Sequence, residues 1–580
     1  MEAAPARPTR FPFWRRMLPW ALCALPVLIY AFQAWDHRWI LDDGFINFRV
    51  VRQIEAGNGP VFNAGQRVEA FTSPFWILVL TVGDVLAPVR LELLSVLLGI
   101  SCAVAGLGFA VAGSARLWKP IDPEAPLMPA GVLVYIALYP MWYFATSGLE
   151  TPMIFGWLGL CLFLLSKWAS RPDARLSTSA AVVIGLGWLI RPDLLPVTLA
   201  LLAAVLVGSH DRSWRTVVKL LVAVFAVPVV YQLFRMGYYA SLISNTAYAK
   251  KANATNWGRG ADYLKEFVRT YELWIPLAAV ALAGFLPLLR AARSRETRRT
   301  TCVALGFAVG GALVGLYVVR VGGDYIHARL LLPALFAICL PVAVLPQRWL
   351  SFAAVAIVVP WALVAAFQLR PDVPYRVTID NRRNLINVED VIEQPTSRVL
   401  ALYQRGQIFW EQKRLPYKPA PELPRKTIAR GYIGTTGYVV GPDIDVFDTL
   451  GLADALTARF RTSSSSAIPG HEKPIPAAWA AARLTDPRSK PDPANFAVQL
   501  FGLNLIEPLI PQTSGREFRR QVASVRRALE CGDLKAFHDA YAKPLTIGRF
   551  FDNVGRSITS SSFSIPADPD QAVREFCHRR

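Results

Sequence analysis

Histidine and cysteine are scarce, 6 and 7 among 580 residues, and none has the paired spacing of a metal site. A phosphate loop is missing too: Gly322-Gly323 lacks the following Gly-Lys-Ser/Thr, and no other nucleotide-binding signature is present. Acidic residues are outnumbered, 42 against 62 Lys and Arg, for a net charge of +20. That excess does not signal nucleic acid, because the basic residues cluster in short loops between apolar segments, as topology signals do. Past Leu369 the chain lacks any long apolar run. Before it, apolar stretches of ~17–25 residues recur, the length that crosses a hydrocarbon core. The 53% hydrophobic content therefore hides a division into a membrane domain, 1–369, and a soluble domain, 370–580. No small-residue cleavage site follows Arg7, Arg10, Arg15, Arg16 and the first apolar run, so that run reads as a retained anchor.

The expected fold is a polytopic α-helical membrane protein with about eleven transmembrane helices and a C-terminal mixed α/β domain. Spans are expected at 17–35, 90–113, 127–144, 150–168, 178–190, 192–208, 214–234, 272–290, 301–320, 328–346 and 349–368. This arrangement gathers Arg116/Lys119, Lys167/Arg171/Arg175, Arg212/Arg215/Lys219, Arg290–Arg299 and Arg348 at the N-terminal side, as the positive-inside rule requires. The N-terminus is then cytoplasmic and 370–580 extracytoplasmic. Segment 74–88 is too short for a span and would invert the charge pattern, so it reads as an interfacial helix; the alternative is a twelfth short span. Five cysteines fall in apolar spans. Cys531 and Cys577, alone in the soluble domain of an oxidising compartment, are expected to form a disulfide.

Polar clusters collect on the outer side. The first loop, 36–73, opens with Asp42-Asp43, adjacent carboxylates at a membrane boundary. Either is suited to act as a base on an acceptor hydroxyl or to stabilise an anomeric carbon; the structural alternative is a helix cap. Together they also suit a divalent cation. Arg67 and Glu69 of the same loop, with Glu150 and Asp324, are candidate substrate contacts. Arg191 interrupts an apolar stretch and needs Asp193 or Glu150 as partner, either in a structural ion pair between spans or as a contact to the donor phosphate. Gly322-Gly323 are expected to let the backbone approach a ligand, and His327 and Arg329 to donate to a phosphate. Lys250 and Lys251 suit a lipid phosphate. In the soluble domain, segment 398–403 reads as a strand, and Gly431–Tyr438 with Asp443, Asp445 and Asp448 has the aromatic and acidic make-up of a sugar contact. His471-Glu472-Lys473 is a charged triplet placed to reach the membrane cleft.

The acidic pair after a first span, the Ser-Pro-Phe-Trp helix and the outer C-terminal domain resemble a GT-C-type glycosyltransferase. The ordered runs Leu-Asp-Asp-Gly-Phe-Ile-Asn-Phe-Arg, Thr-Ser-Gly-Leu-Glu-Thr-Pro, Gly-Gly-Asp-Tyr-Ile-His-Ala-Arg and Pro-Gly-His-Glu-Lys-Pro resemble the terminal β-(1→2)-arabinofuranosyltransferases of the mycobacterial and corynebacterial envelope. That resemblance implies decaprenyl-phosphoryl-arabinofuranose as donor and an arabinan end of arabinogalactan or lipoarabinomannan as acceptor. It implies catalysis by Asp42 or Asp43 and a donor phosphate held by His327 and Arg329. It also implies net retention, for which the sequence does not single out a second carboxylate. Transfer of another polyprenyl-phosphate sugar, or transport of a lipid-linked saccharide, are the alternatives. Transport sits less well with polar clusters at one face and no internal repeat.

Overall fold

The computed structural model describes residues 13–369 except 88, 172–173, 251–254, 295 and 325, and then 392–393, 427–430, 433–461, 473, 475–485 and 515–577. Among the described residues six helices are long and apolar enough to cross a membrane, which makes the chain a multi-pass membrane protein.

Helix α1 (Phe13–Asp36) leads through strand β1 (Trp39–Ile40) into α2 (Asp42–Glu55), and α3 (Pro74–Leu86) follows as a separate helix. Pro74 suits the first turn of α3, and the Ser73 side chain accepts from Trp76 N at 3.4 Å. Leu78, Val82, Val85 and Leu86 leave its far face exposed and apolar. Helix α4 (Leu91–Trp118) packs along α7 (Thr151–Ala169). Glycine at 106 and 159 makes that approach possible: a Cβ on Gly106 would run into the Phe155 carbonyl, and one on Gly159 into that of Gly106.

Segment 127–144 departs from expectation. It is not one spanning helix but β2 (Leu127–Pro129), α5 (Gly131–Ile136) and α6 (Tyr139–Tyr143). Pro129 and Pro140 each remove a backbone donor and stop a helix from running through. After the short helices α8 (Thr178–Gly185) and α9 (Gly187–Ile190), Arg191-Pro192 breaks the chain before α10 (Leu195–Gly208), as expected. Helix α11 (Trp214–Tyr239), the short α12 (Asn245–Ala249), α13 (Trp257–Thr270) and α14 (Trp274–Val280) follow. A π-helical turn, Ala281–Phe285, joins α14 to α15 (Leu286–Ala291), and then comes α16 (Arg298–Val321). Segment 328–346 is broken like 127–144, into α17 (Leu332–Cys339), a 3-10 turn and β3 (Val344–Pro346), before α18 (Trp349–Phe367). The two broken segments pair: β2 and β3 are antiparallel, with Met128 opposite Leu345. Ser114 Oγ reaches the Pro341 and Val344 carbonyls at 2.9 and 3.1 Å, and Arg348 Nε meets Asp122 at 2.8 Å.

Exposed tryptophans stand at both ends of the helix bundle. Trp35 and Trp274 lie at the end that carries β1, and Trp214 and Trp349 at the end that carries the basic loops. Such aromatic belts mark the two water–lipid boundaries.

Strand β4 (Ile392–Glu393) pairs antiparallel with β1, and β5 (Thr427–Arg430) pairs parallel with β6 (Asp445–Asp448), which flank α19 (Gly434–Val440). A second core, around Phe460, Trp479, Phe518 and Tyr541, is built from α20 (Ala477–Leu484), α21 (Gly515–Leu529) and α22 (Gly532–Ala542); α23 (Ile547–Thr559) packs on α11 instead, and α24 (Pro569–Cys577) completes the core. The expected Cys531–Cys577 disulfide is present and ties the start of α22 to the end of α24. The two parts share an apolar seam in which Ile46, Phe62 and Ala70 pack with Ile433, Val446 and Ala453. The expected strand at 398–403 lies outside the described residues.

Candidate active site

The structure separates the acidic pair. Both residues open α2 behind Leu41, in the first turn, where carboxylates favour the helix dipole. Asp42 turns to the C-terminal region. Its Oδ1 accepts from Thr435 N at 2.7 Å and Thr435 Oγ1 at 2.9 Å, and its Oδ2 from Gly434 N at 3.0 Å. It therefore satisfies the amino end of α19, a cap across 392 residues of sequence. Burial pushes its carboxyl above the ordinary range, the Thr435 and Gly434 donors pull it back, and the neighbouring Asp43 charge raises it further. Arg49, about two turns along α2 from Asp42, secures the same region. It donates to the carbonyls of Phe62 (2.7 Å), Gly441 (2.9 Å) and Ile444 (2.7 Å), to that of Gly437 and to Asn63 Oδ1 (3.1 Å).

Asp43 faces the other way. Its Oδ2 lies 3.5 Å from Arg329 Nη1, and Asp324 Oδ2 lies 3.6 Å from the same atom. The two carboxylates thus flank one guanidinium and are no farther apart than those two distances laid end to end. Arg329 is buried, and its Nε has no hydrogen-bond partner among the described residues. Glu150 and Arg191 also act on the Arg329 charge. Arg191 grips Asp193 through Nε and Nη2, both at 2.8 Å, and reaches Glu150 Oε1 through Nη1 at 3.0 Å. Asp43, Glu150, Arg191, Asp193, Asp324 and Arg329 form one charged cluster at the β1 end of the bundle, with carboxylates in excess. Four separate loops and helix ends contribute to it. Among the described residues no group of three His, Cys, Asp or Glu is placed to hold a metal ion.

The backbone around Arg329 is tightly bent. Gly322, Gly323 and Ala328 all have positive φ, and for Ala328, at 59°, that conformation is strained. The glycines do not open onto a ligand as expected. Gly322 ends α16 in the left-handed conformation, and a Cβ on Gly323 would strike the Tyr263 ring. His327 is likewise tied into protein: Nδ1 meets Glu266 Oε1 at 2.6 Å and Nε2 meets the Tyr271 hydroxyl at 3.3 Å. It braces the turn that presents Arg329 and does not face the cluster as a free donor.

Other expected contacts prove to be joints between loops. Glu69 is buried against Arg235, at 2.7 and 3.1 Å, and accepts from the Tyr231 hydroxyl at 2.6 Å. Arg67 donates to the carbonyls of Tyr238 (3.0 Å), Lys543 (2.5 Å) and Ala540 (2.6 Å). Lys473 donates to those of Tyr248 (2.8 Å) and Ala458 (2.7 Å). Lys250 closes α12, whereas Lys251 and His471 lie outside the described residues. Glu266 and Tyr271 were not legible as parts of the site. Their only sequence signal is a polar residue on α13 and a tyrosine just past its end.

No family model matches the sequence. The chain is 31% identical over 628 aligned residues to a terminal β-(1→2)-arabinofuranosyltransferase of Mycobacterium tuberculosis, covering 96% of both proteins. It is 31% identical over 626 residues to the protein of the same name from Corynebacterium glutamicum, covering 96% of this chain and 87% of the relative. The crystal structure of ArnT from Cupriavidus metallidurans bound to undecaprenyl phosphate matches with a TM-score of 0.37 and 13% identity. That match covers 97% of this chain and 78% of that one, a likeness too distant to carry a residue from one to the other.

Proposed function

The chain belongs to the terminal β-(1→2)-arabinofuranosyltransferase family, and we propose that it transfers arabinofuranose from a polyprenyl-phosphoryl donor to the 2-hydroxyl of an arabinan end on the outer membrane face. In the reaction the bond from the sugar's anomeric carbon to phosphate breaks and the bond to the acceptor oxygen forms. The hydroxyl proton passes to a carboxylate of the Asp43–Asp324 pair, and the polyprenyl phosphate leaves towards Arg329, whose planar donors suit a phosphate. A lipid phosphate leaving group suits an enzyme working where no nucleotide sugar is at hand. The positive-inside rule supports placing the basic loops in the cytoplasm, which puts the cluster and residues 370–580 outside.

One observation carries the assignment of Asp43 over Asp42. The Asp42 oxygens are engaged by residues 434 and 435, whereas Asp43 lies beside a buried arginine with an unused Nε. Asp42 is then a positioning residue, Asp43 a catalytic one, and Glu150, Arg191 and Asp193 a charged wall that holds Arg329 in place. The test is a transfer assay with synthetic decaprenyl-phosphoryl-arabinofuranose and a short α-linked arabinofuranose acceptor. Arabinose added at the acceptor 2-position supports the reading. Folded protein that transfers a different polyprenyl-phosphate sugar, or moves a lipid-linked sugar across vesicles without bond formation, overturns it.

A further inference from the structure

Helix α23 (Ile547–Thr559) carries more exposed apolar surface than a helix facing only water tolerates. At 100° per residue, Ile547, Phe551, Val554 and Ile558 fall within about 60° of one another. Ile547, Phe551 and Ile558 are 82, 68 and 58% exposed, and Leu545 extends the stripe from the preceding turn. Arg549, Asp552 and Arg556 occupy the opposite face. A third face is already used. Asn553 donates to the Gly237 carbonyl at 2.9 Å, and the Phe550 ring rests where a side chain on Gly237 would be.

Gly237 belongs to the last turn of α11, at the β1 end of the bundle. Of the long apolar helices α11 is the least buried inside the protein, with 11% of its apolar window covered. Its exposed residues include Val229, Val230 and Leu233. Gly237 lies seven residues beyond Val230 and hence on the same helix face. The stripe of α23 therefore adjoins the exposed apolar surface of α11 where α11 ends at the β1 side of the bundle. A strongly amphipathic helix in that place, polar face outward, has the form of an interfacial helix.

We propose that α23 lies in the outer leaflet of the membrane, with Ile547, Phe551 and Ile558 among the acyl chains, and so pins residues 515–577 to the bilayer beside the site. The partner is a lipid surface, and continuity with the exposed face of α11 decides for it over a second copy of the chain.

Nitroxide labels on the full chain in phosphatidylethanolamine–phosphatidylglycerol nanodiscs test this. Labels would be placed through Phe551→Cys, Ile558→Cys, Asp552→Cys and Arg556→Cys, one at a time. The unsubstituted protein, with its five free cysteines, supplies the background. At 551 and 558, collision with oxygen should exceed collision with a water-soluble nickel chelate at least severalfold, and at 552 and 556 the ratio should reverse. An Ile547→Asp/Ile558→Asp variant labelled at 551 should shift towards the chelate while eluting as the same folded species. Chelate access at 551 equal to that at 552 overturns the proposal. So does exclusion of both reagents together with strong label–label coupling, which would mean that a second copy covers the stripe.

Discussion

Replacing each aspartate with asparagine separates the two roles, because the change keeps size and removes charge. At 3.5 Å, with an effective dielectric constant of about 20, the Asp43–Arg329 attraction is at most about 5 kcal/mol. The Asp43 side chain is 21% exposed, which lowers that ceiling further. Its larger effect is chemical: a carboxylate that takes a proton in the transition state is worth ~10²–10⁴-fold. Asp43→Asn should therefore lower kcat by ~10²–10⁴-fold with KM for the acceptor changed only a few-fold. Asp42→Asn acts on the fold instead. It weakens three hydrogen bonds to a charged acceptor, each worth about 1.5–3 kcal/mol, and sets an amide N–H₂ against a backbone N–H. A loss of roughly 2–4 kcal/mol, or several degrees in Tm, is expected. Transfer per folded molecule should fall less than about tenfold, below the range for a lost proton acceptor. Both quantities come from one preparation, by the arabinose transfer assay and by thermal unfolding in detergent. Loss of transfer in Asp42→Asn with unchanged Tm, beside an active Asp43→Asn, would refute the reasoning.

Arg191→Met strands Glu150 and Asp193 in a buried wall and should cost about 3–5 kcal/mol, read as a lower Tm, with transfer reduced as Arg329 loses its setting. Glu69→Gln uncouples the buried Arg235 pair; unfolding should come earlier by a similar roughly 3–5 kcal/mol, while transfer per folded molecule stays near wild type. A KM for donor or acceptor raised by Glu69→Gln would return that residue to substrate binding. Burial pushes the Asp448 carboxyl up to about 7 against three backbone N–H donors. A raised acid pKa means that the folded state holds a proton the unfolded chain releases near 4, so its contribution to stability is lost as pH rises from about 4 to 7. Asp448→Asn should flatten that slope in Tm measured against pH, and an identical slope in both proteins would show that other groups set it.

Long continuous apolar runs were readable, even where a proline lies inside the helix, as Pro228 does in α11 and Pro360 in α18: α4, α7, α11, α16 and α18 lie close to their expected ranges. The errors fell at 127–144 and 328–346. There, hydropathy cannot tell a spanning helix from a broken segment whose backbone groups are satisfied by β2, β3 and Ser114. The residue types that meet in the candidate cluster were legible, but the partners each would find were not. Asp42 and Asp43 are neighbours in sequence, and the partners that divide them, Thr435 and Arg329, stand hundreds of residues away. His327 looked like a phosphate donor because Glu266 and Tyr271, which occupy it, carry no motif of their own.

The cap on α19 has a consequence for biogenesis. When the last apolar helix has been made, every residue of the charged cluster has been made as well, yet the carboxylate of Asp42 still waits for residues 434 and 435. A chain stalled or clipped before that point holds the first outer loop without its clasp. The clasp on the first outer loop is thus closed only by a part of the chain made after the last apolar helix.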